Sequence, residues 1–168
     1  LGRRIERAQA IASEVGFALD QPPARIEGGL RLVLELCDSV ITYRSRYLTV
    51  LQPAPALDLV LADTSNPRAL AFQLEAIARD LSEVASADDS ALPGEAASLL
   101  AEAEGLVAQI IAAPDQAMAA ASLPPELEAM GERIGALSDA VTRRYFALLP
   151  AAQTLGLEGV ESALRGAA

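Results

Sequence analysis

The chain has 168 residues, a formal net charge of −10, and a composition that is 52% hydrophobic but only 4% aromatic. Its length fits one domain with a substantial core, its alanine- and leucine-rich composition favours helices, and its charge argues against nucleic acid and anionic membranes as partners. Histidine is absent, which removes the usual general base and the commonest zinc ligand, and no apolar run approaches the ~18 residues of a membrane span.

Five long helices are predicted along the chain, with short helical turns between them. Apolar side chains recur three and four residues apart in each segment, which is the spacing of amphipathic helices that pack in a bundle. We therefore predict an all-α helical bundle without a β-sheet, in a single domain over residues 1–168. The predicted long helices cover residues 1–19, 30–51, 67–84, 94–112 and 126–149, a short turn covers 57–61, an acidic linker covers 86–93, and the tail to 168 has room for one short helix more.

Arg44 lies where a charged residue is not expected. If residues 30–51 form one helix, apolar side chains cover an arc of roughly 200° of its surface, and Arg44 falls inside this arc. A guanidinium on a buried face needs a carboxylate or several carbonyls as partners. We therefore predict that Arg44 is largely buried and paired with a carboxylate, with Glu6 and Asp38 as the candidates.

Three further positions carry predictions about exposure and partners. Cys37 lies on the apolar arc of the same helix, so we predict a buried structural thiol; a single cysteine also fits a reducing, cytoplasmic location. Glu6 and Phe17 share the outer face of the first helix, which indicates either a second contact surface or an ordinary charged face. Arg68 stands in the first turn of its helix, where the macrodipole disfavours a cation, so we expect a tertiary carboxylate or an anionic ligand there unless the position is simply at the surface.

Three segments carry a resemblance to a known family. They read Leu1-Gly2-Arg3-Arg4-Ile5-Glu6-Arg7-Ala8, Ser39-Val40-Ile41-Thr42-Tyr43-Arg44-Ser45-Arg46-Tyr47 and Asn66-Pro67-Arg68-Ala69-Leu70-Ala71-Phe72-Gln73-Leu74. In this order and spacing they resemble the alpha-E domain family, an all-helical family named for a glutamate, strongly over about the first 80 residues and beyond them as a helix pattern only. Ser45 and Ala69 depart from the pattern, since an arginine and a serine are expected there.

The resemblance implies the candidate ligand-binding residues. It carries the family's arginine–tyrosine motif and its Asn-Pro-Arg motif to this chain, and it carries the emphasis on a glutamate to Glu6. The candidates are Arg3, Glu6, Arg7, Tyr43, Arg44, Arg46, Tyr47, Asn66 and Arg68. Glu6 is also the one candidate for a catalytic residue, and no metal site is predicted.

The resemblance also implies partners. Family members are bacterial and are commonly fused to, or encoded beside, a circularly permuted ATP-grasp ligase that resembles glutathionylspermidine synthase, so a role in making or processing a peptide-like amide is implied. ATP and magnesium would then enter only through the ligase, and this chain itself would hold no cofactor. The chain resembles the C-terminal half of the family domain, which makes the missing N-terminal half a further partner, and a homo-oligomer is left open.

Three functions from different classes stay open. The leading one is a non-catalytic helical module that binds a ligase or its anionic, peptide-like substrate, because arginines on helices suit carboxylate or phosphate recognition. The second is an enzyme that uses Glu6 as acid or base while arginines hold an acyl or phosphoryl group. The third is a purely structural domain in which a polar cluster fixes helix register. A pocket lined by Glu6, Arg44 and Arg68 would favour the first two.

Overall fold

The computed structural model describes residues 1–47, 50–85 and 90–146, and within these ranges every regular element is helical. The α-helices of these ranges are α1 (Gly2–Leu19), α2 (Ile26–Leu36), α3 (Val40–Tyr47), α4 (Pro53–Leu57), α5 (Leu70–Val84), α6 (Ala91–Ala112), α7 (Gln116–Ala121) and α8 (Pro124–Val141). A 3-10 turn (Pro23–Arg25) and two π-helical turns (Asp58–Ala62, Thr142–Phe146) complete the described elements. The predicted all-α fold is confirmed.

The five long helices of the prediction correspond to α1, α2, α5, α6 and α8, which have between 11 and 22 residues. The segment before α6 is shorter than expected, because the helix begins at Ala91 and includes Pro93 in its first turn, where a missing N–H costs no hydrogen bond. The predicted end of the last helix at 149 and the predicted helix in the tail lie outside the described residues, as do residues 86–89 of the predicted linker.

Helix α1 is the centre of the bundle and packs against α2, α5 and α8. Its inward stripe runs at helical spacing and is fully or almost fully buried, comprising Ile5, Ala8, Ala12, Val15 and Leu19. Gly16 faces α8 in this contact, and a Cβ built on it would lie 3.5 Å from the Cβ of Leu127, an ordinary van der Waals distance. This packing leaves the opposite face of α1 toward solvent, and Phe17 is 73% exposed there, as the helical pattern predicted.

A turn between α2 and α3 divides the helix that was predicted over residues 30–51, so that prediction is wrong. Asp38 has a φ of 46°, a left-handed conformation that Asp adopts more readily than most residues other than glycine. The buried Ser39 stabilises the turn, because its hydroxyl donates to the Cys37 carbonyl at 2.9 Å and its N–H donates to the Leu34 carbonyl at 2.8 Å. The chain therefore leaves the axis of α2 before α3 begins.

The turn also overturns the prediction for Arg44. Because α3 does not continue the faces of α2, the apolar arc is broken: Tyr43 is buried, whereas Ile41 is 83% exposed and Arg44 is exposed beside it. Arg44 makes no ion pair with any described residue, neither with Glu6 nor with Asp38. The prediction of a buried, paired Arg44 rested on one straight helix and fails with it.

The segment before α5 is a turn rather than the start of a helix. The predicted helix began at residue 67, but α5 begins at Leu70. The Asn66 side chain closes a buried turn: its Nδ2 donates to the Leu59 carbonyl at 2.8 Å, and its Oδ1 accepts from the Arg68 N–H at 3.1 Å. Arg68 therefore stands in a loop that this amide positions.

Two prolines that were expected to end the second helix lie in a helix of their own, α4, which begins at Pro53. The predicted turn over 57–61 is found as the π-helical turn Asp58–Ala62, whose Leu59, Val60 and Leu61 are fully buried. None of the helices in the described ranges is both long and apolar enough to cross a membrane.

Candidate functional site

The candidate residues do not converge on one pocket. Arg68 and Arg44 line different clefts, and Glu6 is not among the residues that line either of these two clefts. A shared pocket of Glu6, Arg44 and Arg68, which would have favoured a binding or catalytic function, is therefore not found among these clefts. Arg7, from the first sequence motif, and Arg68, from the third, line one cleft.

The Arg7–Arg68 cleft lies where α1 passes the end of α2 and the loop before α5. It is open to solvent and has a volume of about 490 Å³. Its lining residues are Arg7, Ala10, Ile11, Glu14, Leu36, Cys37, Asp38, Pro67 and Arg68. Two guanidiniums and two carboxylates thus surround a floor made of apolar atoms.

Arg68 is held in place by the left-handed turn. Its Nη2 lies 2.6 Å from Oδ2 of Asp38, and the side chains are 51% and 78% exposed, respectively. The expected tertiary carboxylate is therefore present, although such an exposed pair contributes only about 0–1 kcal/mol to stability. A guanidinium has five N–H donors, so Arg68 keeps donors for a second anion.

Arg7 faces the same cleft from α1 and makes no ion pair within the described ranges. The floor below it includes Ile11 and Cys37, which are 4% and 5% exposed, and Leu36, which is 42% exposed. Burial, and secondarily the charge of Glu14, raises the pKa of the Cys37 thiol to about 12. The thiol is therefore protonated and unreactive at neutral pH, which confirms the predicted structural role.

Glu6 and Arg3 project from the outer face of α1 and are exposed. Phe17 on this side lines a separate groove of about 350 Å³ between α1 and α8. The glutamate therefore lies next to Arg7 in the chain but projects into solvent rather than into the Arg7–Arg68 cleft.

A second cleft, the Arg31–Arg44 cleft, lies between α2 and α3 and has a volume of about 350 Å³. Its lining residues are Arg31, Leu34, Glu35, Val40, Tyr43, Arg44 and Leu51. The Tyr43 hydroxyl is committed to the backbone, because it accepts from the Gln52 N–H at 3.1 Å and donates to the Val50 carbonyl at 3.4 Å. Tyr43 therefore forms part of the cleft wall and holds the backbone of residues 50–52, before α4, against α3.

Arg46 and Tyr47, two other candidates of the arginine–tyrosine motif, contact other residues of this chain. Arg46 forms an ion pair with Asp63 and a hydrogen bond with Ser65, and the hydrogen bond with Asp63 raises the pKa of Arg46. Tyr47 stacks on Tyr43 with ring centroids 5.0 Å apart, and burial raises the pKa of its hydroxyl. The contacts of Arg46 link α3 to the loop before α5, whereas the contact of Tyr47 lies within α3.

The same cluster contains two carboxyl groups whose pKa values shift in opposite directions. Burial, followed by the nearby charge of Asp63, raises the pKa of Asp58. Burial alone would also raise the pKa of Asp63, but hydrogen bonds from Ser65 and Arg46 outweigh it and lower that pKa. Asp63 is thus the ionised partner of Arg46.

Sequence reasoning missed two contributors to the clefts. It named Asp38 only as a partner of Arg44, and it did not consider Arg31 as a site residue. The Asp38-Ser39 pair is a signal that could have revealed the turn, since both residue types compete with helical backbone through local hydrogen bonds. No sequence signal singles out Arg31, because its position in a cleft depends on the direction of α3.

Comparison with known proteins supports the sequence resemblance. The model of the Alpha-E family, described as "a predicted alpha-helical domain with a conserved ER motif", matches residues 1–146. The dipeptide Glu-Arg occurs twice in the chain, as Glu6-Arg7 on α1 and as Glu132-Arg133 on α8.

Curated relatives come from mycobacteria. Uncharacterized proteins of Mycobacterium tuberculosis and Mycobacterium bovis are each 30% identical to the chain over 95 residues, which is 55% of this chain but only 11% of each relative. The chain thus corresponds to a small part of these longer proteins. No solved structure gives a significant match.

Proposed function

The chain belongs to the Alpha-E family, and on that premise we propose that it is a non-catalytic binding module that holds an anionic, peptide-like ligand for an ATP-grasp-type amide ligase in the bacterial cytoplasm. The observation that carries this proposal is that Arg7 and Arg68 line the same cleft. The two arginines come from separate motifs, and nothing in the local sequence requires them to be close.

The chemistry of the Arg7–Arg68 cleft suits such a ligand. A planar guanidinium binds a carboxylate through two parallel hydrogen bonds, and two guanidiniums can bind the two carboxylates of an acidic peptide or share one. The floor of Ile11 and Leu36 offers apolar contact to the body of the ligand. Because Glu14 and Asp38 balance the two arginines, the cleft selects by geometry rather than by a large positive field.

The ligase is the source of the chemistry in this proposal. The family resemblance implies a circularly permuted ATP-grasp partner that supplies ATP and magnesium, with no cofactor on this chain. The aligned region covers only 11% of each mycobacterial relative. The remainder of such a protein leaves room for a ligase domain in the same chain. That the chain is the C-terminal half of the family domain remains part of the proposal.

The competing proposal is an enzyme that uses Glu6 as acid or base. What favours it is the position of Glu6 next to Arg7 in a Glu-Arg dipeptide, the type of motif by which the family is described. What opposes it is the exposure of Glu6 outside the cleft. Hydrolysis or ligation by the purified chain alone, abolished by Glu6→Gln, would favour this alternative and refute the binding module.

The binding proposal is tested by calorimetry with the dipeptide γ-glutamyl-alanine as the probe and its diamide, which lacks both carboxylates, as the control. We expect the dipeptide to bind and the diamide not to bind. Arg68→Lys should weaken binding about tenfold or more, because an ammonium cannot reproduce the bidentate contact.

Arg25→Lys is the matched control variant, since Arg25 is exposed in the 3-10 turn and does not line the Arg7–Arg68 cleft. It should bind the dipeptide as the wild type does. Equal affinity for dipeptide and diamide, or an unchanged affinity of Arg68→Lys, would contradict the proposal.

A further inference from the structure

Arg44 is an exposed arginine that has no ion-pair partner among the described residues, on a protein with a net charge of −10. The chain has 23 carboxylates and 13 arginines, so carboxylate partners are plentiful. An arginine that pairs with none of them in the described ranges and lies beside apolar side chains therefore calls for an explanation. We propose that the Arg31–Arg44 cleft and the apolar side chains beside it form a docking surface for an acidic segment of a partner protein that carries apolar anchor residues.

The cleft has the layout of a recognition site. Arg31 on α2 and Arg44 on α3 stand at its rim, while the floor includes Leu34 and Tyr43, which are 4% and 3% exposed. Arg31 is engaged only by Glu27, through an exposed contact of 3.4 Å within one helix, which is readily exchanged. The lining contains two arginines and one carboxylate, Glu35, so it carries one net positive charge before the exposed contact of Arg31 with Glu27 is counted. Arg44 is the cation of the cleft that no described carboxylate pairs with.

Two large apolar side chains extend the surface. Ile41 is 83% exposed and precedes Arg44 by three positions, so the two lie on neighbouring parts of the same helix face. Val50 is 77% exposed, and its carbonyl is bonded to the Tyr43 hydroxyl in the cleft wall. Single exposed apolar residues are ordinary, but arginine, tyrosine and apolar residues together are the composition of protein-interaction hot spots.

The charge of the surface decides the kind of partner. A small anion would use the arginines but leave Ile41 and Val50 in water, so a segment that combines carboxylates with apolar side chains fits better. A second copy of the chain is disfavoured as occupant because two charges of −10 repel each other more strongly than this chain repels a short segment with a few carboxylates. The occupant is therefore an acidic, amphipathic segment of another protein.

This surface is separate from the site of the proposed function. The Arg31–Arg44 cleft and the Arg7–Arg68 cleft have no lining residue in common. Failure of one proposal therefore leaves the other standing, and variants in one cleft serve as controls for the other.

The test is fluorescence anisotropy with a labelled peptide of repeating Leu-Leu-Glu-Glu, compared with the same peptide in which glutamine replaces glutamate. The full chain should bind the acidic peptide and bind the glutamine version at least about tenfold more weakly, with an affinity that falls as salt rises. Arg44→Glu and Ile41→Ser should each reduce the affinity for the acidic peptide about tenfold or more.

Both positions are exposed, so these variants should keep the helical circular dichroism spectrum of the wild type. Arg143→Glu, a change of the same charge at an exposed position outside the cleft, should bind as the wild type does. Absence of peptide binding at up to about millimolar concentration, equal binding of both peptides, or unchanged binding by Arg44→Glu would overturn the proposal. A dimer in analytical ultracentrifugation that Arg44→Glu dissociates would overturn it as well, in favour of a contact between copies.

Discussion

At the scale of the residue, arginine serves different purposes that the sequence does not distinguish. Arg46 holds the loop before α5 through Asp63, whereas Arg68 is held by Asp38 at the edge of a cleft. Arg7 and Arg44 have no ion-pair partner in the described part of the chain and face open clefts. Of these four arginines, Arg7, Arg44 and Arg68 line clefts in which a ligand could bind, and Arg46 does not.

Asp63 provides a prediction of pH dependence. The pKa of its carboxyl is lowered from the ordinary value of 3.8, so the folded state binds this proton more weakly than the unfolded state. Its contribution to the free energy of unfolding is therefore complete above the unfolded-state pKa and is lost as the pH falls through the lowered, folded-state pKa. Asp63→Asn should be less stable than the wild type near neutral pH, and this difference should shrink at about pH 3.

Urea unfolding at both pH values measures the effect, with Thr64→Ala as a control in the same exposed loop. Asp58 acts in the opposite direction, because burial raises its pKa and its ionisation destabilises the folded state as the pH rises. A difference between Asp63→Asn and the wild type that is the same at both pH values would mean that the ion pair with Arg46 contributes nothing.

Residue-level predictions succeeded where the local pattern sufficed. The exposure of Phe17 and the burial of Cys37 follow from the faces of α1 and α2 alone. Arg68 has the expected carboxylate partner, but the reason given for it, a place in the first turn of a helix, is wrong because α5 begins at Leu70. The identity of Asp38 depends on a tertiary approach that no single-sequence pattern specifies. The prediction that Arg44 is buried was wrong because it extended the apolar face of α2 across the turn at Asp38 into α3.

At the scale of the element, the approach of α2 to α1 depends on one glycine. A Cβ built on Gly29 would lie 2.4 Å from the carbonyl oxygen of Ala18, which is a severe clash with backbone. The neighbouring Gly28 has nothing within 4 Å of such a Cβ. Of these two neighbouring glycines, Gly29 thus has no room for a side chain and Gly28 does.

We predict that Gly29→Ala lowers the free energy of unfolding by about 1–3 kcal/mol, because α1 and α2 must move apart. Gly28→Ala should instead raise it by about 0.5–1 kcal/mol, since alanine is the better helix former and meets no neighbour. Urea denaturation monitored by circular dichroism gives both values. A Gly29→Ala variant that is as stable as Gly28→Ala would show that the close contact between these helices is not formed.

The bounds of elements were predictable where breakers stand in the sequence. Helix α1 ends at Leu19, just before Asp20 and the two prolines that follow, as predicted. The turn at Asp38 contains neither proline nor glycine, and the apolar spacing continues across it by coincidence, so one helix was predicted where there are two. Pro53 was read as an end although it begins α4, because proline fits the first turn of a helix.

At the scale of the whole molecule, ion pairs between side chains connect helices that also share one apolar core. Arg133 on α8 bonds Glu95 at 2.8 Å and also Glu102, both on α6, and Arg4 on α1 approaches Asp80 on α5 at 3.5 Å. The apolar core runs through α1, α2, α5, α6 and α8 without interruption. The fold class was therefore predictable from the periodicity of each helix, whereas the two clefts were not, because they lie between elements.

The proposed function requires that Arg7 and Arg68, which the fold places in one cleft, bind one ligand together. A double-mutant cycle measures this directly, through the binding free energies of γ-glutamyl-alanine to the wild type, Arg7→Met, Arg68→Met and the double variant. Residues that share one ligand should show a coupling free energy of about 0.5–3 kcal/mol between the two substitutions. Losses that add to within about 0.3–0.5 kcal/mol would mean that the two arginines act independently, and would contradict the claim.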